Sequence, residues 1–288
     1  MSISEDTALK LRKIDELNKE ISFYKTQDKN LLNKLKDFYR VSSVYSTNAI
    51  EGNTLTESET KVIIENGITI GGKTVKEHLE AINSAKAYDF IYTLLNSSKI
   101  TENDILQIHK LVLSGIDDEN AGKYRQEVVF ISGTEYTPPP YKKVPELMKA
   151  FTEKLDKQGN EHPIIKAADM HAEFESIHPF IDGNGRTGRF ITSLQLIKNT
   201  YPPFIVYPIK RLDYINSLIV YNIKNDITKI RNFIVDNIYE TIKALKRFFD
   251  NSVDKSKNES IVNTPDNEDA FSKDLQNRLG NGRGSWGR

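Results

Sequence analysis

Apolar residues recur at helical spacing through most of the chain. Near the amino terminus, Leu9, Leu11, Ile14, Leu17 and Ile21 stand among lysines and glutamates, which predicts an amphipathic helix. The same spacing predicts further helices over residues 31–45, 75–95, 144–155, 164–177, 186–198, 214–221 and 227–245. The pattern therefore predicts a chain that is mainly helical.

Two threonines mark the starts of further helices. Thr56 is followed three residues later by Glu59, the spacing of a capping box, and Gly67 stands where the short helix would stop. Thr101 is predicted to cap another helix that ends near Gly115. These signals divide the first half of the chain into short helices joined by turns.

The segment 128–141 has a different character. It begins with four residues that favour strands, Val128, Val129, Phe130 and Ile131, and ends in three consecutive prolines at 138–140. This composition predicts a short hairpin with an exposed tip. The predicted fold class is therefore all-α with one small β-hairpin.

The helical pattern suggests three parts. Residues 1–65 are predicted to form N-terminal helices, and residues 66–250 the core together with the C-terminal helices. After Asp250 few large apolar residues remain, so 251–288 is predicted to be a polar, disordered tail.

Composition and charge exclude several classes of function. The 288 residues include 40 Lys and Arg and 40 Asp and Glu, so the net charge gives no reason to expect a nucleic-acid partner. The absence of cysteine excludes disulfides and thiolate metal sites. No apolar run is long enough to span a bilayer, and the start lacks a secretory pattern. We therefore expect a cytoplasmic protein without a membrane partner, although the sequence leaves export as an effector open.

Two glycine-rich stretches resemble phosphate-binding motifs without their context. Residues 67–74 match the P-loop pattern letter for letter, but a capped amphipathic helix precedes them where a P-loop needs a buried strand. Residues 280–283 read Gly-Asn-Gly-Arg within the polar tail. We interpret the first stretch as a structural turn and the second as chance.

The stretch 178–189 combines a motif with suitable context. A helical run delivers His178, and the next residue, Pro179, ends that helix. Phe180 is predicted to anchor the loop in the core, and Asp182 supplies a hard oxygen ligand of the kind that Mg²⁺ prefers. A lone His in a glycine-rich turn would be a capping residue, but this arrangement indicates a base beside a metal ligand.

The second half of the same stretch predicts an anion site. Gly183 and Gly185 flank Asn184, so that backbone amides can approach an anion at the start of the next helix. Arg186 and Arg189 are three residues apart and share one face of that helix. A base, a metal ligand, an anion cradle and two cations are the groups that phosphoryl-type transfer requires.

This stretch closely resembles the signature of the Fic family, and the resemblance covers roughly residues 40–240. It implies a protein adenylyltransferase in which His178 deprotonates a target hydroxyl and Asp182 holds Mg²⁺ on ATP. It further implies that ATP is bound by Gly183, Asn184, Gly185, Arg186, Thr187, Gly188, Arg189, Tyr214 and Asn222, the last two beside adenine. The family's flap, which aligns the target by strand addition, would comprise Val129, Phe130, Ile131 and Ser132.

A second motif, residues 47–52, resembles the inhibitory motif of Fic proteins that carry their inhibitory helix before the core. Thr47 and Glu51 would share a helix face, and Gly52 would end the helix. Glu51 is expected to pair with Arg189 and remove it from the γ-phosphate. The same carboxylate could align a water for removal of AMP, so both directions of reaction are expected.

Several alternatives stay open at this stage. A related branch of the family carries Lys where this chain has Gly185, which favours AMP transfer over a phosphotransferase, and another nucleotide-type donor would share the loop. A third alternative is a non-catalytic binding module. The expected partners are ATP, a protein target with a hydroxyl side chain, and the chain itself through auto-AMPylation or as a homodimer.

Overall fold

The computed structural model describes residues 3–27, 29–157 and 159–258. These residues contain the helices α1 (Glu5–Gln27), α2 (Lys29–Ile50), α3 (Glu57–Asn66), α4 (Val75–Thr93), α5 (Glu102–Leu113), α6 (Val144–Asp156), α7 (Pro163–Ile177), α8 (Asn184–Lys198), α9 (Arg211–Lys224) and α10 (Thr228–Asn258). Short 3₁₀ turns at Tyr141–Lys143 and Pro208–Lys210 precede α6 and α9. The prediction of a mainly helical fold is confirmed.

The predicted β-hairpin is wrong. The segment 128–140 contains no strand, and a turn at Ser132 and Gly133 reverses its direction without a ladder of hydrogen bonds. A strand needs a partner for its backbone groups, and the prolines at 138–140 have no N–H to donate. The expected exposed tip is present, because Ser132 and Gly133 at the turn are exposed and Phe130 beside them is 81% exposed.

The helix caps expected near residues 56 and 101 are present. Thr56 Oγ1 accepts a hydrogen bond from Glu59 N, and the Glu59 carboxylate accepts one from Thr56 N. Thr101 forms the same reciprocal pair with Asp104 at the start of α5. These bonds satisfy amides that otherwise lack partners in the first turn of a helix.

The stretch 67–74 is a structural turn, as the missing strand predicts. Gly67 lies in the left-handed region (φ 67°) and ends α3, and Thr74 caps α4. The Lys73 ammonium donates to the carbonyl oxygen of Thr54 at 2.6 Å. The Lys73 ammonium therefore links this turn to the loop that contains Thr54 and does not face a phosphate site.

The first and last described helices share one hydrophobic core. Leu11, Ile14 and Ile21 of α1 belong to the same buried cluster as the apolar stripe of α10. Lys10 and Asp236 form an ion pair at 2.8 Å beside this contact. Helices α7 and α8 pack against each other within the same cluster, so the loop that joins them rests on a rigid base.

The predicted tail is described only at its beginning. Helix α10 continues past Asp250 to Asn258, and residues 259–288, including the Gly-Asn-Gly-Arg stretch, lie outside the described residues. None of the described helices is sufficiently long and apolar to cross a membrane.

Candidate functional site

The candidate site is built on the loop of residues 178–183 between α7 and α8, called here the His178 loop. His178 caps α7 in the left-handed conformation (φ 48°), and its N–H donates to the carbonyl of Phe174 at 3.0 Å. Residues other than Gly rarely take this conformation, although His is enriched there with Asn and Asp, and it costs roughly 1 kcal/mol or more. The capping position thus turns the histidine side chain out of the helix and into the cleft.

The imidazole of His178 has a defined orientation and charge. Its Nδ1 donates to the carbonyl oxygen of Glu175 at 3.3 Å, so the lone pair is on Nε2. Burial lowers the pKa of His178 to about 4, although its bond to the Glu175 carbonyl acts in the opposite direction. At neutral pH the ring is therefore uncharged, the state that a general base requires.

This protonation state can be measured directly. We expect the His178 ring to titrate near pH 4, well below the ordinary 6.5, because the folded protein disfavours the charged form. An NMR titration of the ring protons, assigned by comparison with His178→Ala, would test it. A titration midpoint near 6.5 would contradict the burial of this ring.

Asn184 and Phe180 hold the His178 loop closed. Asn184 Oδ1 accepts from the Phe180 N–H and its Nδ2 donates to the Phe180 carbonyl, both at 2.9 Å. The Phe180 side chain is fully buried, as expected of an anchor. The Asn184 side chain thus braces the loop, which leaves the amides at the start of α8 as the groups that can face an anion.

His109 supports the loop from α5, a role that sequence analysis missed. Its Nδ1 accepts from Gly122 N and its Nε2 donates to the Asp182 carbonyl, both at 2.9 Å. Its ring stacks on Phe180 with a centroid distance of 3.6 Å. Burial lowers the pKa of His109 to about 4, so the ring is neutral and can accept one bond while donating the other.

His109→Leu should destabilise the fold. The change leaves the Gly122 amide and the Asp182 carbonyl without their partner, and the expected loss in free energy of unfolding is about 2–4 kcal/mol. Urea denaturation would measure it, with His109→Gln as a matched variant that retains a polar group. If His109→Leu and His109→Gln both unfolded with nearly the free energy of wild type, these two hydrogen bonds would not be what stabilises the loop.

Arg186 lies between two carboxylates at the start of α8. Its Nη1 is 3.4 Å from Glu80 Oε1 on α4, and its Nη2 is 3.3 Å from Asp182 Oδ2. The guanidinium is buried, and its Nε has no hydrogen-bond partner among the described residues. Both ion pairs are long, so this cation retains capacity for a further anion.

Arg189 lies one turn further along α8 and meets the motif at residues 47–52. Its Nη2 is 2.6 Å from Glu51 Oε1, and its Nε donates to Thr47 Oγ1 at 2.9 Å. Burial opposes the charge of Arg189, but the nearby Glu51 carboxylate outweighs it and raises the pKa of Arg189. The structure thus pairs Thr47 and Glu51 with Arg189, and α2 ends at Ile50 with Gly52 in the left-handed region (φ 97°).

Two glycines of α8 leave space for the carboxyl groups of neighbouring glutamates. A larger residue at either position would displace the carboxyl group beside it. A Cβ at Gly185 would lie 2.6 Å from Glu51 Oε1, and a Cβ at Gly188 would lie 2.4 Å from Glu175 Oε1. Burial raises the pKa of Glu175 to about 7, and its Oε1 has no hydrogen-bond partner among the described residues. Thr187, between them, is also fully buried.

The residues expected beside adenine occupy different environments. Tyr214 is fully buried, with its hydroxyl 2.8 Å from His171 Nε2 and its ring centroid 5.9 Å from the Arg189 guanidinium. Asn222, two turns further along α9, is only partly buried, but its Oδ1 is enclosed and has no hydrogen-bond partner in the described part of the chain. Tyr214 therefore contacts the site through Arg189, whereas the Asn222 acceptor is unpaired within that part.

Arg125 connects the expected flap to the His178 loop. Its Nε donates to the His178 carbonyl at 2.8 Å, and its Nη2 donates to the Pro139 carbonyl at 2.5 Å. This buried side chain fixes one end of the segment, while Val129, Phe130, Ile131 and Ser132 stay partly or fully exposed. The sequence alone does not indicate these bonds, because the partners of Arg125 are backbone carbonyls 14 and 53 residues away.

The residues at the cleft fit a magnesium ion. Glu51, His178, Ile181, Asp182, Gly183, Asn184 and Gly185 line one open cleft. The Asp182 carboxylate is 55% exposed there, and its Oδ1 accepts from the Gly183 N–H. The described residues contain no group of three or more His, Asp or Glu that could hold a metal alone. One carboxylate completed by phosphate oxygens and water is the arrangement that Mg²⁺ prefers.

Comparisons with known proteins agree with the fold and with the resemblance found in the sequence. The Fic/DOC family profile matches residues 99–196. A solved structure of Fic-1 (residues 134–508) from Caenorhabditis elegans superposes with a TM-score of 0.75 at 30% identity, covering 85% of this chain and 73% of that one. The protein adenylyltransferase Fic of Nematostella vectensis is 34% identical over 238 residues, which is 81% of this chain and 55% of the relative. The protein adenylyltransferase Fic of Drosophila ananassae is 35% identical over 202 residues, which is 69% of this chain and 40% of the relative.

The fold and the site define a helical protein with a histidine loop that opens onto the amino terminus of a helix. The chain belongs to the Fic/DOC family. It spans about half the length of the curated relatives that it matches.

Proposed function

We propose that this chain is a protein adenylyltransferase that moves AMP from ATP to a hydroxyl side chain of a target protein. The observation that carries the proposal is the shared cleft of His178, Asp182 and the first amides of α8, in which the imidazole is neutral. The names of the relatives from N. vectensis and D. ananassae support the same reaction. His178-dependent transfer of label from the α-phosphate of ATP to protein tests it.

His178 is proposed to act as the general base. The target hydroxyl oxygen attacks the α-phosphorus, its proton passes to His178 Nε2, and the bond from the α-phosphorus to the oxygen leading to the β-phosphate breaks. Pyrophosphate leaves, and AMP stays on the target as a phosphodiester. A base in reach of the hydroxyl contributes typically 10²–10⁴-fold to such a reaction.

The start of α8 is proposed to bind the phosphates. Unpaired amides and the positive end of the helix dipole favour an anion there, and Gly183 (φ 75°) lets the chain enter the helix tightly. Arg186 would take the β-phosphate with little movement, because its Nη2 already lies 3.3 Å from the carboxylate of Asp182, which lines the cleft. Mg²⁺ bound at Asp182 would supply positive charge to the α- and β-phosphates.

The exposed segment 129–132 is proposed to align the target. Arg125 anchors the chain on either side of it, at the carbonyls of Glu127 and Pro139, and its own backbone has no hydrogen bond within the described residues. An extended segment of another protein could therefore add to it as a strand. A mobile segment of a second copy would serve equally, which accounts for the expected auto-modification.

Glu51 is proposed to hold the enzyme in an inhibited state. Its carboxylate occupies Arg189 at 2.6 Å, the cation that resemblance assigns to the γ-phosphate. ATP could still bind, but its γ-phosphate would lack this contact and the α-phosphate would be turned away from His178. The same carboxylate lines the cleft, where it could also orient a water for removal of AMP.

A further inference from the structure

The turn that carries Glu51 is held by three neighbouring helices. We call residues 47–53 the inhibitory turn. From α8, Arg189 binds Thr47 and Glu51. From α4, the carbonyl of Glu80 accepts a hydrogen bond from Asn48 Nδ2 at 3.1 Å. The third contact comes from α9, and neither the sequence motif nor the proposed reaction accounts for it.

This third contact is a hydrogen bond from Arg211 to the end of α2. Arg211 Nε donates to the carbonyl oxygen of Ile50 at 2.7 Å. Ile50 is the last residue of α2 and directly precedes Glu51, so its carbonyl is one of those left unpaired at a helix end. A guanidinium at this position also complements the negative end of the helix dipole.

Arg211 has no other polar role in the described part of the chain. It forms no second hydrogen bond and no ion pair there. The residue is exposed, unlike Arg186 and Arg189. Its contribution is therefore confined to the backbone on which Glu51 stands.

Helix α9 contacts Arg189 and the residue directly before Glu51. Arg211 binds the residue before Glu51, and Tyr214, three positions later on the same helix face, lies under the Arg189 guanidinium at 5.9 Å. The Asn48–Glu80 hydrogen bond to α4 is buried, whereas the Arg211 hydrogen bond is only partly buried and the Arg211 residue is exposed. Water and other solutes can therefore reach the Arg211 contact, as they can the exposed Glu51 carboxylate, whereas the α4 contact is closed to them.

We propose that Arg211 is a positioning residue for the inhibitory turn, which keeps Glu51 on Arg189 by holding the Ile50 carbonyl. The inference rests on the proposed function, since it concerns the inhibition of that reaction. Loss of the bond leaves the α4 contacts and the buried Ile50 side chain in place. The inhibitory turn should then loosen without unfolding.

Arg211→Ala should raise auto-modification with α-labelled ATP by about threefold to tenfold, less than the full effect of one bond from a charged donor because Arg211 is exposed to solvent. The rise should be smaller than that caused by Glu51→Gly, because the carboxylate is still present. Lys224→Ala, which removes a cation from the other end of α9, is the matched control and should label like wild type. Hydrogen exchange should show faster exchange at the Glu51 amide, which bonds the Asn48 carbonyl at 3.0 Å.

A double variant separates positioning from a general effect on the fold. If Arg211 acts through Glu51, then Glu51→Gly/Arg211→Ala should label at the same rate as Glu51→Gly. The inference would be overturned if Arg211→Ala raised the labelling rate of Glu51→Gly further, or if it lowered the labelling rate both in wild type and in Glu51→Gly.

Failure of the inference and failure of the proposed function give different results. If Glu51→Gly is activated while Arg211→Ala matches Lys224→Ala, the positioning role is wrong and the inhibition by Glu51 stands. If Glu51→Gly itself gains no labelling, the proposed inhibition is wrong and the role of Arg211 falls with it.

Discussion

Glu51→Gly should raise auto-modification on the order of tenfold or more. In the wild-type chain the Glu51 carboxylate holds Arg189 at 2.6 Å while Thr47 accepts from the same guanidinium. A hydrogen bond to a charged group contributes about 1.5–3 kcal/mol, and each 1.4 kcal/mol is a factor of ten. Because the Glu51 side chain is 40% exposed, solvent screening places the expected effect toward the lower end of this energy range.

The measurement is the initial rate of protein labelling from α-labelled ATP. Glu51→Gln isolates the contribution of charge, since it keeps the shape and weakens the bond to Arg189. Glu65→Gln removes an exposed carboxylate at the end of α3 and serves as the matched control. Equal labelling of wild type and Glu51→Gly would show that the observed ion pair does not restrain the reaction.

His178→Ala should lower the labelling rate of the activated variant by about 10²–10⁴-fold. The neutral ring on the cleft is the only imidazole among the residues that line it. His109 and His171 are also buried, but their ring nitrogens are occupied by bonds to Asp182, Gly122, Thr192 and Tyr214. Neither can accept a proton from a target.

The control for this change is at the other end of the same helix. His162 caps α7, and its Nδ1 accepts from Ile164 N at 3.2 Å. His162→Asn keeps a capping acceptor, so it should label like the activated parent. Thermal unfolding of both variants would establish that His178→Ala is folded. A folded His178→Ala protein with an undiminished rate would exclude this residue as the base.

Local signals in the sequence predicted the helices well. The predicted capping box at Thr56 and the helix expected to begin at Val75 are both present, because caps and periodicity involve residues within one turn of each other. The predicted hairpin failed for the opposite reason. Strand-forming residues such as Val128 indicate a strand only if a partner strand lies alongside, and the sequence cannot show that partner.

In the candidate site, too, local features were predictable from the sequence and contacts between distant residues were not. The pairing of Glu51 with Arg189 joins residues 138 positions apart, and only the resemblance to a known motif made it predictable. Arg125, His109 and Arg211 were missed because each acts on a backbone carbonyl or amide that leaves no trace in the sequence. Glu175 could be read as part of a helix, but its burial against Gly188 depends on how α7 packs on α8.

The most direct test compares ATP labelled at the α-phosphate with ATP labelled at the γ-phosphate. Glu51→Gly protein is incubated with each, beside Glu51→Gly/His178→Ala, and protein-bound label is measured. We expect label from the α-phosphate alone, and only when His178 is present. Protein labelled from the γ-phosphate would mean that the site transfers phosphate, which would contradict the proposal of AMP transfer.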